Sequence, residues 1–164
     1  MSKRLLIFFG VGMVVAGIAV GLIYYTHVGS HVALKGEMIK IRIGEIDQQN
    51  SAAVIDFRVE NISDVTFPVN QIIVTAEHPG GEKTEGEPIS RSDIKQLLQY
   101  NRLFGQQYNP GIAAGDKIGP REKMDRTIAV RFDIPLEQLN KAKQLRLYIQ
   151  DTHGNEFVTV KPLK

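Results

Sequence analysis

The sequence predicts a mainly β protein, an antiparallel β-sandwich with one short helical insertion, preceded by a single transmembrane helix. Three observations predict this architecture. Residues 5–25 form an uncharged apolar run, the segments between residues 37 and 161 alternate apolar and polar residues, and one segment between them changes to helical spacing. Six or seven short strands separated by turn residues are typical of an antiparallel sandwich.

The apolar run from Leu5 to Tyr25 is the predicted transmembrane helix. At about 1.5 Å per residue, a helix of this length spans a hydrocarbon core of about 30 Å. Lys3 and Arg4 precede the run, and no further lysine or arginine occurs before Lys35. The positive-inside rule therefore predicts a cytoplasmic N-terminus, with the rest of the chain periplasmic or extracellular and the anchor in the inner (cytoplasmic) membrane.

A cleaved signal peptide is the alternative interpretation of this run. Val28-Gly29-Ser30 would serve as a small-residue cleavage site. The apolar regions of signal peptides usually cover only about 7–15 residues, so the length favours a retained anchor. The predicted organisation is then a cytoplasmic tip at 1–4, the transmembrane helix at 5–25, a juxtamembrane linker at 26–36, and a β-sandwich domain at 37–164 with its helical insertion at about 88–119.

Small residues four apart make the apolar run a candidate contact between membrane helices. The candidates are Gly12 with Ala16, and Gly17 with Gly21. Such pairs let two helix backbones approach closely in lipid. The expected partners are the lipid bilayer and another membrane or envelope protein, or a second copy of the chain. The alternative is that a glycine-rich helix contains these spacings by chance.

Composition narrows the functional classes. The chain has 20 basic and 18 acidic residues, and Lys3 and Arg4 precede the predicted anchor. The outer part is therefore formally neutral, which argues against a nucleic-acid partner. There is no cysteine, so disulfides, thiolate metal sites and a thiol nucleophile are excluded. No catalytic constellation, cofactor motif or metal-ligand pattern is evident, and we expect no enzyme activity and no cofactor.

Period-two alternation predicts the strands of the sandwich. In the first strand Ile39, Ile41 and Ile43 alternate with Lys40 and Arg42, and the isoleucines are expected to face the core. In the second strand the odd-numbered residues are expected to face the core. A loop is predicted at 78–88, and strands are predicted at 37–47, 53–60, 65–77, 126–134, 144–150 and 156–161.

Residues 91–104 have the spacing of an amphipathic helix. Ser90 is the predicted N-cap, and Ile94 and Leu97 mark the apolar face. One interpretation is that this face covers an open end of the sandwich. The other is that the segment presents a partner surface, because aromatic residues and arginine favour interfaces. The candidate surface residues are Tyr100, Arg102, Phe104 and Tyr108.

The layout of the strands resembles a known family. FRVENIS at 57–63 ends one strand, and IVTAEHPGGE at 73–82 leads to a glycine turn. VRFDIP at 130–135 ends a later strand, and LRLYIQDTHGNEF at 145–157 forms the terminal hairpin. This order resembles the FxLYD-type immunoglobulin-like domains on bacterial membrane anchors, whose activities are mostly unassigned. The resemblance implies an immunoglobulin-like sandwich and transfers no site residues, since Ala76-Glu77-His78 replaces the Leu-Tyr-Asp of that family.

The expected function is that of a non-enzymatic protein-interaction or assembly module of the cell envelope. The alternative is a small-ligand-binding or sensory domain that uses residues 84–119 as a pocket wall. A deep pocket lined by Tyr100 and Tyr108 would favour the alternative, and a flat apolar patch would favour the interaction module.

Overall fold

The computed structural model describes residues 10, 12–22 and 33–163, and the chain divides into two compact units, Met1–His31 and Val32–Lys164. In the first unit residues 12–22 are helical (α1), and their large apolar side chains are exposed. In the described part of the chain, no helix has both the length and the apolar character needed to cross a membrane. Much of the predicted 5–25 helix and most of the predicted 26–36 linker lie outside the described residues.

The second unit is mainly β. In chain order it contains β1 (Leu34–Glu45), β2 (Ser51–Asn61), β3 (Phe67–Glu77), β4 (Lys83–Pro88), α2 (Arg91–Tyr100), a 3₁₀ turn (Arg102–Phe104), β5 (Lys117–Ile118), β6 (Lys123–Phe132), α3 (Leu136–Asn140), β7 (Gln144–Asp151) and β8 (Glu156–Pro162).

The strands form an antiparallel sandwich of two layers. The first layer has the order β1-β2-β6, and the second has the order β3-β7-β8. Strand β4 belongs to both layers, because Lys83–Gly86 pair with β3 whereas Glu87–Pro88 pair with β6. The two-residue strand β5 pairs with the start of β3. This architecture confirms the predicted mainly β, antiparallel fold with few helices.

Apolar side chains from both layers fill the space between them. The alternation of β7 places Leu145, Leu147 and Ile149 inside, and the odd-numbered residues Ile55 and Phe57 of β2 meet them from the other layer. Each side chain of this size stabilises the fold by about 1.5–3 kcal/mol when it is fully buried. The predicted inward face of β2 is therefore confirmed.

Strand β1 departs from the predicted alternation. It begins at Leu34, before the predicted start of the domain, and a β-bulge interrupts its pairing with β2 between Met38 and Lys40. A bulge inserts one unpaired residue and thereby changes the face to which the following side chains point. Ile39 is consequently 43% exposed, although Ile41 and Ile43 pack against the core as predicted.

Strand β4 replaces part of the loop predicted at 78–88. Its sequence KTEGEP has no apolar alternation, and its one buried position is Gly86. A Cβ atom at Gly86 would lie 2.9 Å from the Phe132 ring, so the missing side chain makes room for that ring. Long-range pairing forms this strand, which explains why local periodicity did not predict it.

The predicted helix at 91–104 is divided at Asn101. The Oγ atom of Ser90 accepts a hydrogen bond from the Asp93 N–H at 3.3 Å, as expected for an N-cap. Asn101 then adopts extended backbone angles, φ −117° and ψ 103°, which end α2. The Asn101 side chain accepts from the Leu103 N–H and donates to the Glu45 carbonyl at 2.8 Å. The 3₁₀ turn is thereby directed back onto the first layer.

The β7–β8 hairpin depends on an ionised carboxylate. Asp151 is buried, and its carboxylate accepts the N–H groups of His153 and Asn155 at 2.7 and 2.8 Å and the Asn155 side-chain amide at 2.7 Å. Burial opposes ionisation, but these hydrogen bonds outweigh it and hold the pKa of Asp151 below its ordinary value.

We expect Asp151 to make folding stability pH-dependent. A lowered pKa in the folded state stabilises the protein above the ordinary aspartate pKa of about 3.9, and this contribution disappears as the pH falls through the folded-state value. The free energy of unfolding of Asp151→Asn should therefore be lower than that of the wild type at pH 7, and the difference should shrink toward pH 2. Urea denaturation across this range measures it, and a difference independent of pH would contradict the assignment.

Candidate binding surface on the helical insertion

The helical insertion, predicted at about 88–119, occupies residues 89–116 between β4 and β5, and it covers the outer face of the first layer. Its buried apolar residues form a second cluster, separate from the core between the layers. The insertion contributes Ile94, Leu98 and Phe104, and the sheet contributes Ala52, Val54 and Ala129. Strand β2 is consequently buried on both faces along most of its length. The insertion therefore packs on the outside of a sheet and not over an open end of the sandwich.

Phe104 attaches the insertion and is absent from the surface. It is fully buried, with its ring against Gly44 of β1. A Cβ atom at Gly44 would lie 2.7 Å from the Cζ atom of this ring, so the glycine leaves the space that the ring occupies. The prediction of Phe104 as a surface residue is therefore wrong, because its position in the 3₁₀ turn points it at the sheet.

A buried ion pair joins the insertion to the same face. Arg42 of β1 donates to Asp56 Oδ2 of β2 at 2.7 Å, and the exposed fractions of the two side chains are 8% and 4%. The Arg42 Nη1 atom also donates to the backbone carbonyls of Phe104 and Gln106, the latter at 2.8 Å. One arginine therefore links the sheet carboxylate to two carbonyls of the insertion.

The remaining oxygen of the carboxylate is also engaged. Asp56 Oδ1 accepts the hydroxyl of Thr127 on β6 at 2.5 Å, and the Asn109 amide approaches it at 3.5 Å. Arg42 Nε is the one buried side-chain nitrogen or oxygen without a hydrogen-bond partner in the described part of the chain. Because both charges are hydrogen-bonded on several sides, the pair positions residues 104–109 on the sheet.

Tyr108 lies over this polar cluster. Its ring centroid is 5.2 Å from Arg42 Cζ and 5.3 Å from Lys40 Nζ, which is the distance range of cation–π contacts. The side chain is still 55% exposed. Tyr108 thus covers the buried arginine and is also exposed to solvent.

The junction of α2 and the 3₁₀ turn forms an exposed rim, defined here as Tyr100, Arg102 and Leu103. Tyr100 is 87% exposed and Leu103 is 76% exposed. Arg102 is exposed as well. The structure places Tyr100 and Arg102 at the surface, with the exposed Leu103 beside them, and their role as a partner surface stays a prediction. Tyr100 also borders a hollow of about 370 Å³ together with Ile89 and Leu97.

A groove lies on the other flank of α2, between the helix and residues 105–111. Its main part has a volume of about 550 Å³, and a second part of about 430 Å³ continues toward Arg91. Both parts share Lys95, Gln107 and Pro110. Tyr108 lines the groove, whereas Tyr100 borders the separate hollow. The two tyrosines predicted to line one pocket therefore lie on different flanks of the helix.

The groove offers binding groups: Lys95 and Arg91, several side-chain amides and Tyr108. Within residues 10, 12–22 and 33–163, no cluster of three histidine, aspartate or glutamate side chains could hold a metal ion. The arrangement can bind a ligand through a cation, hydrogen bonds and apolar contact.

Arg42, Asp56 and Lys95 were missed as functional residues. One signal was available in β2, where Ala52 and Val54 are apolar on the face predicted to be polar. Apolar residues on both faces of a strand indicate that both faces are covered. An aspartate on such a face requires a buried partner, which would have pointed to a cation on a neighbouring strand.

No family model and no curated protein matches the chain. Two solved structures are similar to it. One is an uncharacterised β-sandwich protein from Clostridium difficile 630, with 14% identity, a TM-score of 0.43, and coverage of 82% of this chain and 87% of that chain. The other is a target of the Northeast Structural Genomics Consortium, with 12% identity, a TM-score of 0.35, and coverage of 81% and 83%.

Proposed function

We propose that the chain is a single-pass, membrane-anchored immunoglobulin-like domain that acts as a non-enzymatic protein-interaction module of the cell envelope. The strand order supports the immunoglobulin-like part of the proposal. The pairing β1-β2-β6-β4 follows the order A-B-E-D, and β3-β7-β8 follows C-F-G, of an immunoglobulin sandwich. The FxLYD-type resemblance stays a prediction.

The observation that carries the proposal is the exposed rim. It lies on an insertion whose other side is packed on the first layer. Ile94, Leu98 and Phe104 bury the inner face of the insertion, so the fold does not need Tyr100 or Leu103. Exposed tyrosine and arginine side chains next to an apolar residue are typical of the energetically dominant positions in protein interfaces. The rim is therefore the surface on which we expect the partner to bind.

The anchor is supported by the apolar character of α1. Its large side chains, such as Met13, Ile18 and Leu22, are exposed around the helix and would be covered by lipid. Within α1 the pair Gly12–Ala16 lies roughly 140° around the helix from Gly17–Gly21, at 3.6 residues per turn. The two pairs would therefore serve two different helix contacts.

The second candidate is a small-ligand-binding or sensory domain. The groove beside α2 supports it, because a volume of about 550 Å³ lies within the usual range for ligand sites. The groove is open along its length, however, and Tyr100 lies outside it. We therefore place protein binding first.

Photo-crosslinking tests the proposal. A photoreactive residue is placed at Tyr100 or at Leu103 in the full chain, in the membranes of the cells that make it. Val158 and Val160 of β8 are matched controls, since both are exposed apolar positions far along the chain from the insertion. We expect an adduct with one defined protein from positions 100 and 103 and none from the β8 positions. No adduct at any position, or equal adducts at both surfaces, would overturn the proposal.

A further inference from the structure

We infer that the groove between α2 and residues 105–111 binds an extended, acidic segment of the protein partner, with Lys95 as the residue that recognises a carboxylate. This inference rests on the proposed function and names the chemistry of the partner. It depends on the shape of the groove, on its charge and on its free amide groups.

The shape of the groove fits an extended chain. Its two parts follow one flank of α2 from Gln99 to Arg91. At about 1.5 Å per residue, this stretch of helix is about 12 Å long. An extended peptide rises about 3.3 Å per residue, so the groove accommodates three to four residues. A compact small molecule would fill only one part of it.

The charge of the groove is positive. Lys95 lines both parts and Arg91 lines the second part, and no aspartate or glutamate lines either part. Arg91 forms an ion pair with Asp116, whereas Lys95 makes no ion pair within residues 33–163. The helix itself offers Lys95 no carboxylate, because the residues three and four positions away are Arg91, Ser92, Leu98 and Gln99.

Lys95 lies four residues from Arg91, and like charges at this spacing repel each other on a helix. Lys95 therefore does not stabilise α2. Lys95 is exposed on the groove side of the helix, beside the buried Leu98. An incoming carboxylate would neutralise this charge next to apolar surface, where screening by water is weaker. The groove thus has a vacant position for one negative side chain.

Side-chain amides provide the groups that a peptide backbone requires. Gln99 and Gln106 line the groove, and their side-chain amides make no hydrogen bond to another described residue, although the Gln106 backbone carbonyl accepts from Arg42. Each amide offers both donors and acceptors, which suits the alternating N–H and C=O groups of an extended peptide. A bare anion would use the donors alone. The lysine and the amides together therefore favour an acidic peptide.

Fluorescence anisotropy with two matched peptide pools tests the inference. The probes are labelled, end-blocked pentapeptides with glutamate at positions two and four, and the same peptides with glutamine at those positions. The full chain is used in lipid nanodiscs. We expect the glutamate pool to bind about tenfold more tightly in dilute buffer, and this preference to decline as salt is added.

The variants Lys95→Gln and Lys143→Gln show whether the preference for glutamate comes from the groove or from the positive charge of the protein in general. Lys143 is exposed and makes no ion pair within residues 33–163, so it is a matched control. Lys95→Gln should abolish the preference for glutamate, and Lys143→Gln should retain it. Equal binding of both pools, an unchanged preference in Lys95→Gln, or equally tight binding of free succinate would overturn the inference.

Crosslinking from position 100 distinguishes a failure of the groove inference from a failure of the proposed function. If the partner adduct forms but its yield is the same in Lys95→Gln, the protein is an interaction module and the groove inference is wrong. If no adduct forms in the wild type, the proposed function itself fails.

Discussion

Replacing Asp56 by alanine is expected to lower the free energy of unfolding by about 3–5 kcal/mol, the usual loss when one partner of a buried ion pair is removed. The variant leaves Arg42 nearly inaccessible to water and without its carboxylate. It also removes the acceptor of Thr127. The positive charge would then face the carbonyls of Phe104 and Gln106 and the ring of Tyr108, none of which carries a negative charge. Urea denaturation measures the change.

The exposed pair Arg121–Asp64 is a matched control. Its shortest nitrogen–oxygen distance is also 2.7 Å, between Arg121 Nε and Asp64 Oδ1, but the side chains are 64% and 79% exposed. Asp64→Ala should cost much less than Asp56→Ala, because solvent screens an exposed ion pair. The double variant Arg42→Met/Asp56→Ala should be less destabilised than the sum of its single variants, because no unpaired buried charge remains. Equal effects of Asp56→Ala and Asp64→Ala would contradict the proposed role of the buried pair.

Phe104→Ala is the second substitution with a large expected effect. Removing a fully buried phenylalanine ring usually costs about 3–5 kcal/mol. Here the ring attaches the insertion to the outer face of β1 and β2, so we expect the loss to be largely local. Amide hydrogen exchange should accelerate in residues 91–104 while the amides of β7 retain their protection. Mass spectrometry of the exchanged peptides measures both regions.

Leu103 is the control for Phe104. It precedes Phe104 directly and is 76% exposed, so Leu103→Ala should change stability by no more than about 0.5 kcal/mol. If amide exchange in the Phe104→Ala variant accelerates as much in β7 as in α2, the insertion and the sandwich unfold together. Unchanged exchange in residues 91–104 would show that Phe104 does not hold the insertion.

Local patterns predicted the parts of the fold in which side chains alternate strictly. Strand β7 is the clearest example, because its inward positions 145, 147 and 149 carry apolar residues, the alternating positions between them are only partly buried, and the pattern ends at the buried Asp151. Ile39 was mispredicted since a bulge interrupts the pairing of β1 at that point. Strand β4 was missed because its position depends on pairing with two distant strands, β3 and β6.

The candidate site could be predicted only in part, because it depends on strand register. Tyr100, Arg102 and Tyr108 were predicted from residue type and lie at the surface. Arg42 and Asp56 meet because Arg42 pairs with Val54 and Lys40 pairs with Asp56, which makes Arg42 and Asp56 diagonal neighbours. Sequence spacing alone does not provide this register. The packing of Phe104 on Gly44 likewise requires the path of the chain after Asn101.

The central claim is that the insertion binds the partner only when the insertion is packed on the outer face of the first layer. Crosslinking in the Phe104→Ala variant tests this claim most directly. The photoreactive residue stays at position 100, and hydrogen exchange confirms that β7 remains folded under the same conditions. We expect the partner adduct seen in the otherwise wild-type chain to be lost together with the protection of residues 91–104. An adduct of unchanged yield from the detached insertion would contradict the claim.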